Sequence, residues 1–150
     1  MSHKPEISAS LEDYLEAILV IIRDNKPPRV RDISERLNVN MSSVTGALHQ
    51  LADRGFVNYS PYAVVTLTEE GEEVAREIAG RHSALKAFLE RVLAVEENLA
   101  DETACRMEHG IPREVVDRVV KFVDFFDSQK DAGCECIKRF HECMQHTEDE

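Results

Sequence analysis

Apolar residues recur at three- and four-residue steps near the start of the chain. Leu11, Tyr14, Leu15, Ile18, Ile21 and Ile22 predict an amphipathic helix over residues 10–24, with Ser10 placed to cap it and Asp13 and Glu16 on the other side. Lys26-Pro27-Pro28 breaks the pattern, because proline can neither donate to a helix ladder nor let its predecessor turn helical. A short helix restarts at Arg29 with Val30, Ile33 and Leu37 inward. After the turn Asn38-Val39-Asn40, a third helix runs from Met41 to Gly55 with Val44, Leu48 and Leu51 on one face. Two short helices joined by a tight turn are the helix-turn-helix layout. The period then becomes extended in Phe56–Tyr59 and Val64–Thr68, separated by Ser60-Pro61-Tyr62-Ala63, which predicts a hairpin in the position of a wing.

From Glu69 the helical period returns and runs to about Val95 through Val74, Ile78, Leu85, Phe88, Leu89 and Val92. His82 shares a face with Leu85 and Leu89 and so points inward; taken alone, an inward histidine is more often a core residue than a ligand. Asn98–His109 is a short helix stopped by Gly110-Ile111-Pro112. Arg113–Asp127 then carries Val115, Val116, Val119, Val120, Phe122, Val123, Phe125 and Phe126, more apolar surface than one face can use. The surplus predicts burial against a second copy, a homodimer. The fold expected is mainly α: a winged helix-turn-helix DNA-binding domain over 1–72, a helical dimerisation and metal-binding domain over 73–128, and a Cys/His-containing helical tail over 129–150.

Charge sharpens this division. The net charge of −11 would by itself argue against nucleic acid, yet residues 26–70 balance Lys26, Arg29, Arg31, Arg36 and Arg54 against Asp32, Glu35, Asp53, Glu69 and Glu70. All of the acidic excess lies outside residues 26–70. On the third helix the face opposite the apolar one carries Ser42, Gly46 and His49, flanked by Ser43, Thr45 and Gln50, with no acid before Asp53. Small and polar side chains let a helix approach a major groove, and Arg29 and Arg31 stand where phosphates would be met. The alternative is an ordinary solvated helix face. No apolar run approaches the roughly 20 residues needed to span a bilayer, and the N-terminus lacks the apolar core of a signal peptide. A cytoplasmic protein without a membrane or small-molecule partner is expected, its four cysteines reduced or ligating rather than bridged.

The densest chemistry is Cys105-Arg106-Met107-Glu108-His109, where helical spacing puts a thiol, a carboxylate and an imidazole within about 100° of one another. Asp13, Glu16 and His82 are candidate ligands from distant segments. Capping is the competing role for Asp13, but it leaves Glu16 unexplained. In the tail, Cys134, Cys136, His141, Cys143 and His146 invite a zinc reading. On one helix, however, Cys136 and Cys143 would be separated by about 10 Å of rise, and Ile137, Phe140 and Met144 form an ordinary packing stripe. Other functions to weigh are a winged-helix regulator indifferent to metal and a metalloenzyme built on His82, Cys105, Glu108 and His109. The latter lacks an evident acid–base group and any HExxH or nucleophile-elbow motif, so an enzyme is not expected.

Residues 8 to 128 resemble the iron- and manganese-dependent repressors of the diphtheria toxin repressor and manganese transport regulator family, through Leu11-Glu-Asp-Tyr-Leu-Glu16, Val39-Asn-Met-Ser-Ser-Val-Thr45, Leu67-Thr-Glu-Glu-Gly71, Arg81-His82 and Ala104-Cys-Arg-Met-Glu-His109. The resemblance implies a divalent cation that enables operator binding by a dimer. Asp13, Glu16 and His82 match the manganese-type branch. Cys105, Glu108 and His109 match the iron-type branch, in which cysteine replaces a glutamate of the manganese site. A hybrid set of this kind implies Fe(II) as the favoured cation and Mn(II) as the second, since thiolate is the softer donor. The resemblance further implies the Cys/His tail in place of the extra C-terminal domain of longer relatives.

Overall fold

The computed structural model describes residues 7–129 and 135–146. Helix α1 (Ala9–Arg23) begins at Ser8, whose extended backbone lets its hydroxyl accept from the Leu11 N–H at 3.4 Å; Ser10, expected as the cap, already lies inside the first turn. Leu11, Tyr14, Leu15, Ile18 and Ile21 are buried as the spacing predicts, together with Ala17 and Leu19, but Ile22 is exposed at the helix end. Helix α2 (Val30–Leu37) opens with the Asp32 carboxylate accepting the Arg29 N–H at 3.1 Å and closes at Asn38 in the left-handed conformation (φ 52°). Asn40 then caps α3 (Met41–Asp53), its Oδ1 accepting from the Ser43 N–H at 2.8 Å, and Gly55 (φ 80°) turns the chain out of the helix.

The wing is shorter than the sequence predicts. Strands β1 (Val57–Asn58) and β2 (Thr66–Leu67) pair antiparallel, Val57 opposite Leu67 and Asn58 opposite Thr66. Two features end the ladder early: Val65 donates its N–H to the Pro28 carbonyl at 2.8 Å instead of to a partner strand, and Tyr62 takes a left-handed conformation (φ 65°) at the tip. Thr68 joins wing to helix. Its hydroxyl donates to the Gly55 carbonyl at 2.6 Å and accepts from the Gly71 N–H at 3.0 Å, starting α4 (Glu69–Ala87). A Cβ on Gly71 would lie 1.8 Å from the Phe56 carbonyl oxygen, so glycine is what lets this turn seat so closely. Leu15, Ile18, Ile33, Val44, Leu48, Leu51, Phe56, Val65 and Ile78 form the centre of the core that holds these elements together.

The chain divides into two units that part between Ala79 and Gly80, within α4. Beyond that point the helix does not continue regularly to Val95: its hydrogen bonding opens into a π-helical turn over Phe88–Val92, and Ala94 takes a positive φ of 55°. Helix α5 (Glu97–Glu108) is capped by the Glu96 carboxylate, which accepts from the N–H groups of Asn98 and Leu99 at 3.0 and 3.2 Å. Helices α6 (Arg113–Gln129) and α7 (Glu135–His146) follow. Leu85, Leu89, Ala100 and Ala104 form the second core, with Leu93, Met107, Ile111 and Val119 packed against it. Helix α6 buries Val116, Val123 and Phe126 and leaves Val115, Val120, Phe122 and Phe125 exposed. Helix α7 lays Ile137 and Phe140 along an apolar cleft with Phe122 and Phe126, and the His141 Nε2 lies 3.0 Å from the Val92 carbonyl oxygen. The architecture is thus mainly helical, a winged helix followed by a helical domain. No helix among the described residues is long and apolar enough to cross a membrane.

Candidate functional site

Glu108 is the one buried charged residue among the described residues, with 0% of its surface exposed. It stands at the end of α5, on the helix that packs Ala100 and Ala104 into the second core. A buried carboxylate is unfavourable unless matched by donors or cations. The matching is incomplete. Glu108 Oε2 lies 2.9 Å from His82 Nδ1, whereas Oε1 makes no hydrogen bond although His109 Nε2 is 3.3 Å away. Arg81 donates to the Glu108 backbone carbonyl at 3.4 Å, fixing the end of the helix. The other nitrogen of His82, Nε2, lies 2.9 Å from Asp101 Oδ1, the oxygen that also has Lys86 Nζ at 3.5 Å. The hydrogen bond from His82 holds the Asp101 carboxyl below its usual range; partial burial opposes this, and the charges of His82 and Lys86 support it.

Two imidazoles and a buried carboxylate oxygen lacking a donor are a set that a divalent transition metal accepts. On this test the residues of the second unit fit the cation that the sequence implies. Asp13 and Glu16 are half-buried on α1, in the first unit. Cys105 is exposed on α5 and is not bridged, and no cluster of ligating side chains among the described residues includes it. No such cluster among the described residues includes Cys136, His141 or Cys143 either; Cys134 and the side chain of His146 lie outside the described residues. Asp101 was not anticipated, although it lies four residues before Cys105 and seven before Glu108, on one helical face.

In the first unit the residues expected to face DNA share a surface. Ser42, Ser43, Gly46, His49 and Gln50 are exposed on α3 and Thr45 is half-buried, while Val44, Leu48 and Leu51 hold the opposite face in the core. Asn40 Oδ1 accepts from the Ser42 and Ser43 hydroxyls at 2.7 and 2.8 Å, so the first turn presents an ordered polar cluster. An open groove is lined by Arg29, Arg31, Thr45, His49, Tyr59 and Tyr62, among others. His49 packs edge-on against Tyr59 with ring centroids 5.2 Å apart. Arg31 is tied to Glu35 at 2.8 Å, an exposed pair that raises the Arg31 pKa chiefly through its hydrogen bond, whereas Arg29 is exposed and donates its backbone N–H to Asp32. The two wing tyrosines are additions that the hydrophobic pattern did not reveal.

Known proteins resemble both parts of the chain. Residues 6–65 match the model of the iron dependent repressor N-terminal DNA binding domain, and residues 68–136 match that of the iron dependent repressor metal binding and dimerisation domain. Over 121 residues, 80% of this chain and 97% of the relative, the sequence is 39% identical to the uncharacterized HTH-type transcriptional regulator MJ0568 of Methanocaldococcus jannaschii. It is 31% identical to the HTH-type transcriptional regulator MntR of Bacillus subtilis over 137 residues, 91% of this chain and 95% of that one. Among solved structures, the manganese regulator SloR superposes with a TM-score of 0.68 at 24% identity, covering 77% of this chain, and IdeR of T. acidophilum with 0.63 at 27% identity, covering 73%. The chain spans about half the length of these two, 54% and 52%. A DNA-binding domain followed by a metal-binding and dimerisation domain, matched in order along nearly the whole chain, makes this protein a member of the iron-dependent repressor family of metal-dependent transcriptional repressors.

Proposed function

We propose that the protein is a homodimeric repressor that binds a two-fold symmetric operator when loaded with a divalent cation, Fe(II) first and Mn(II) second, and so controls metal-homeostasis genes. The observation that carries this reading is Glu108, a wholly buried carboxylate flanked by His82 and His109 and left with one oxygen that no hydrogen bond satisfies. His82, Glu108 and His109 would hold the cation, and the resemblance adds Asp13, Glu16 and Cys105 as further ligands. When bound, the cation supplies positive charge that neutralises these carboxylates. In the second unit His82 and His109 hold their ring nitrogens towards Glu108, and the α5 helix end fixed by Arg81 keeps that carboxylate in place. In the first unit α3 offers Ser42, Ser43, Thr45, Gly46, His49 and Gln50 to a major groove, with Arg29 and Arg31 beside it for phosphates. Coupling between the two sites equals the difference in DNA affinity between loaded and metal-free protein, typically 1–3 kcal/mol.

Metal choice follows from the donors. Nitrogen and oxygen ligands already rank Fe(II) above Mn(II), and a thiolate from Cys105 would widen the gap. The names of relatives such as MntR and SloR, the latter a manganese regulator, support a Mn(II) response as well. The test is anaerobic DNA binding, on fragments selected from the organism's own genome, with Fe(II), Mn(II), Co(II) and Zn(II) in turn and with chelator. Metal-dependent binding ranked Fe(II) before Mn(II) is expected, and Cys105→Glu should narrow that difference. Binding unaffected by chelator would overturn the metal-dependent reading, and an unchanged ranking in the variant would remove Cys105 from selectivity.

A further inference from the structure

The His82 ring lies between two carboxylates at the same distance, 2.9 Å to each, and either of its nitrogens has the reach to serve as a ligand. A neutral imidazole offers one N–H and one lone pair, so the two sides cannot play the same part. The surroundings differ sharply. On the Nδ1 side stands Glu108, its side chain 1% exposed, with His109 Nε2 a further 3.3 Å from its second oxygen. On the Nε2 side stands Asp101, whose side chain is 54% exposed and whose Oδ1 already has the Lys86 ammonium at 3.5 Å. Lys86 is also 3.6 Å from Glu97 and 3.9 Å from Glu90, so this side carries a resident positive charge among its carboxylates.

We propose that Asp101 is a positioning residue for the metal centre, accepting the Nε2–H of His82 so that Nδ1, on the Glu108 side, is the nitrogen that ligates. A cation needs several converging donors, and only the Nδ1 side gathers them: a second imidazole and a carboxylate oxygen without a hydrogen bond. Beside Asp101 a second cation would meet the charge of Lys86, which repels it. Asp101 thus fixes both the tautomer and the ring orientation of His82, the part that a carboxylate commonly plays behind a metal-bound histidine. Lys86 holds Asp101 in turn, and the whole relay, from α4 to α5, lies within the second unit.

The inference rests on the metal-site reading, and the test separates the two. Mn(II) affinity is measured on the full chain, from the spin-resonance signal of free Mn(II), for the wild type and for Asp101→Ala, Asp101→Asn, His82→Ala and Glu108→Gln. Asp101→Ala should weaken Mn(II) by about 10- to 100-fold, and Asp101→Asn, which keeps an acceptor oxygen for Nε2–H, should recover most of that loss. Wild-type affinity in His82→Ala and Glu108→Gln would end the metal-site reading itself. Large losses there with wild-type affinity in Asp101→Ala would end only the positioning role and leave Asp101 a surface ion pair. A second readout needs no variant: imidazole nitrogen resonances of the Zn(II)-loaded wild type should show His82 protonated at Nε2 and metal-bound at Nδ1. The reverse assignment would overturn the proposal, whatever the folding of the variants.

Discussion

Burying a carboxylate costs several kcal/mol before its partners are counted, and Glu108 recovers only part of this, because His82 faces one of its oxygens while the other makes no hydrogen bond. Such a residue is poorly suited to stabilising the fold and well suited to meeting a cation. Glu108→Gln separates these two parts. The amide keeps the shape and can still bond to His82 Nδ1, yet it removes the buried charge. Urea denaturation of the metal-free variant should therefore give a stability within about 1 kcal/mol of the wild type, or above it. Mn(II) affinity should fall at least about 100-fold, since a neutral amide oxygen replaces an anionic ligand and the pull on the cation drops accordingly. A loss of 3 kcal/mol or more in the metal-free state, with metal affinity kept, would mark Glu108 as a structural residue instead.

At the scale of elements, α4 offers an internal contrast. Gly71 and Gly80 both lie in it, and helix propensity alone favours alanine at each by about 1 kcal/mol. At Gly80 an added Cβ meets nothing within 4 Å, whereas at Gly71 it would sit 1.8 Å from the Phe56 carbonyl oxygen, a backbone atom that cannot swing aside. Gly80→Ala should then raise the urea midpoint by up to about 1 kcal/mol of stability and Gly71→Ala should lower it by about 2 kcal/mol or more. Effects of the same sign would show that the wing-to-helix junction is looser than its hydrogen bonds suggest. The helices α1, α2 and α3 were legible in the sequence because Leu15, Ile18, Ile33, Val44 and Leu48 repeat at helical steps and are the residues that are buried. The wing was legible in kind but not in length, since the N–H of Val65 is taken by Pro28, a partner that no local pattern reveals. The end of α4 was hidden for a related reason: Phe88, Leu89 and Val92 keep a helical rhythm through a turn whose hydrogen bonding has changed. Of the candidate metal site, Glu108, His109 and His82 could be picked out by residue type and face. Asp101 could not, because it finds its role only when α5 packs beside α4, and the exposure of Cys105 could not, because helical spacing fixes a direction to within about 100° without fixing what covers it.

At the scale of the molecule, the acidic excess has to be reconciled with a DNA partner. Each chain carries −11, so a dimer approaching DNA is repelled at long range, and attachment depends on local contacts along the first unit. Dimerisation itself is predicted to run through the exposed apolar residues of α6: Phe125→Asp puts a charge into that patch and should shift the protein from dimer to monomer in sedimentation velocity, where an unchanged dimer would move the interface elsewhere. Within the groove proposed to face DNA the two arginines are not equivalent. Arg31 is already engaged with Glu35 at 2.8 Å, whereas Arg29 is exposed and bonded through its backbone N–H. Every phosphate neutralised contributes about −0.9 to the slope of log affinity against log salt, and a two-fold dimer counts each contact twice. Arg29→Ala should therefore make the slope shallower by about 2 and weaken specific and random DNA alike, as loss of a phosphate contact does. Arg31→Ala should change it by less than about 1, because a guanidinium already held by Glu35 is less available to neutralise a phosphate. Metal-saturated protein titrated with fluorescent DNA at several salt concentrations measures both slopes. An unaltered slope for Arg29→Ala, or equal changes for the two variants, would mean that this edge of the groove does not meet the phosphates.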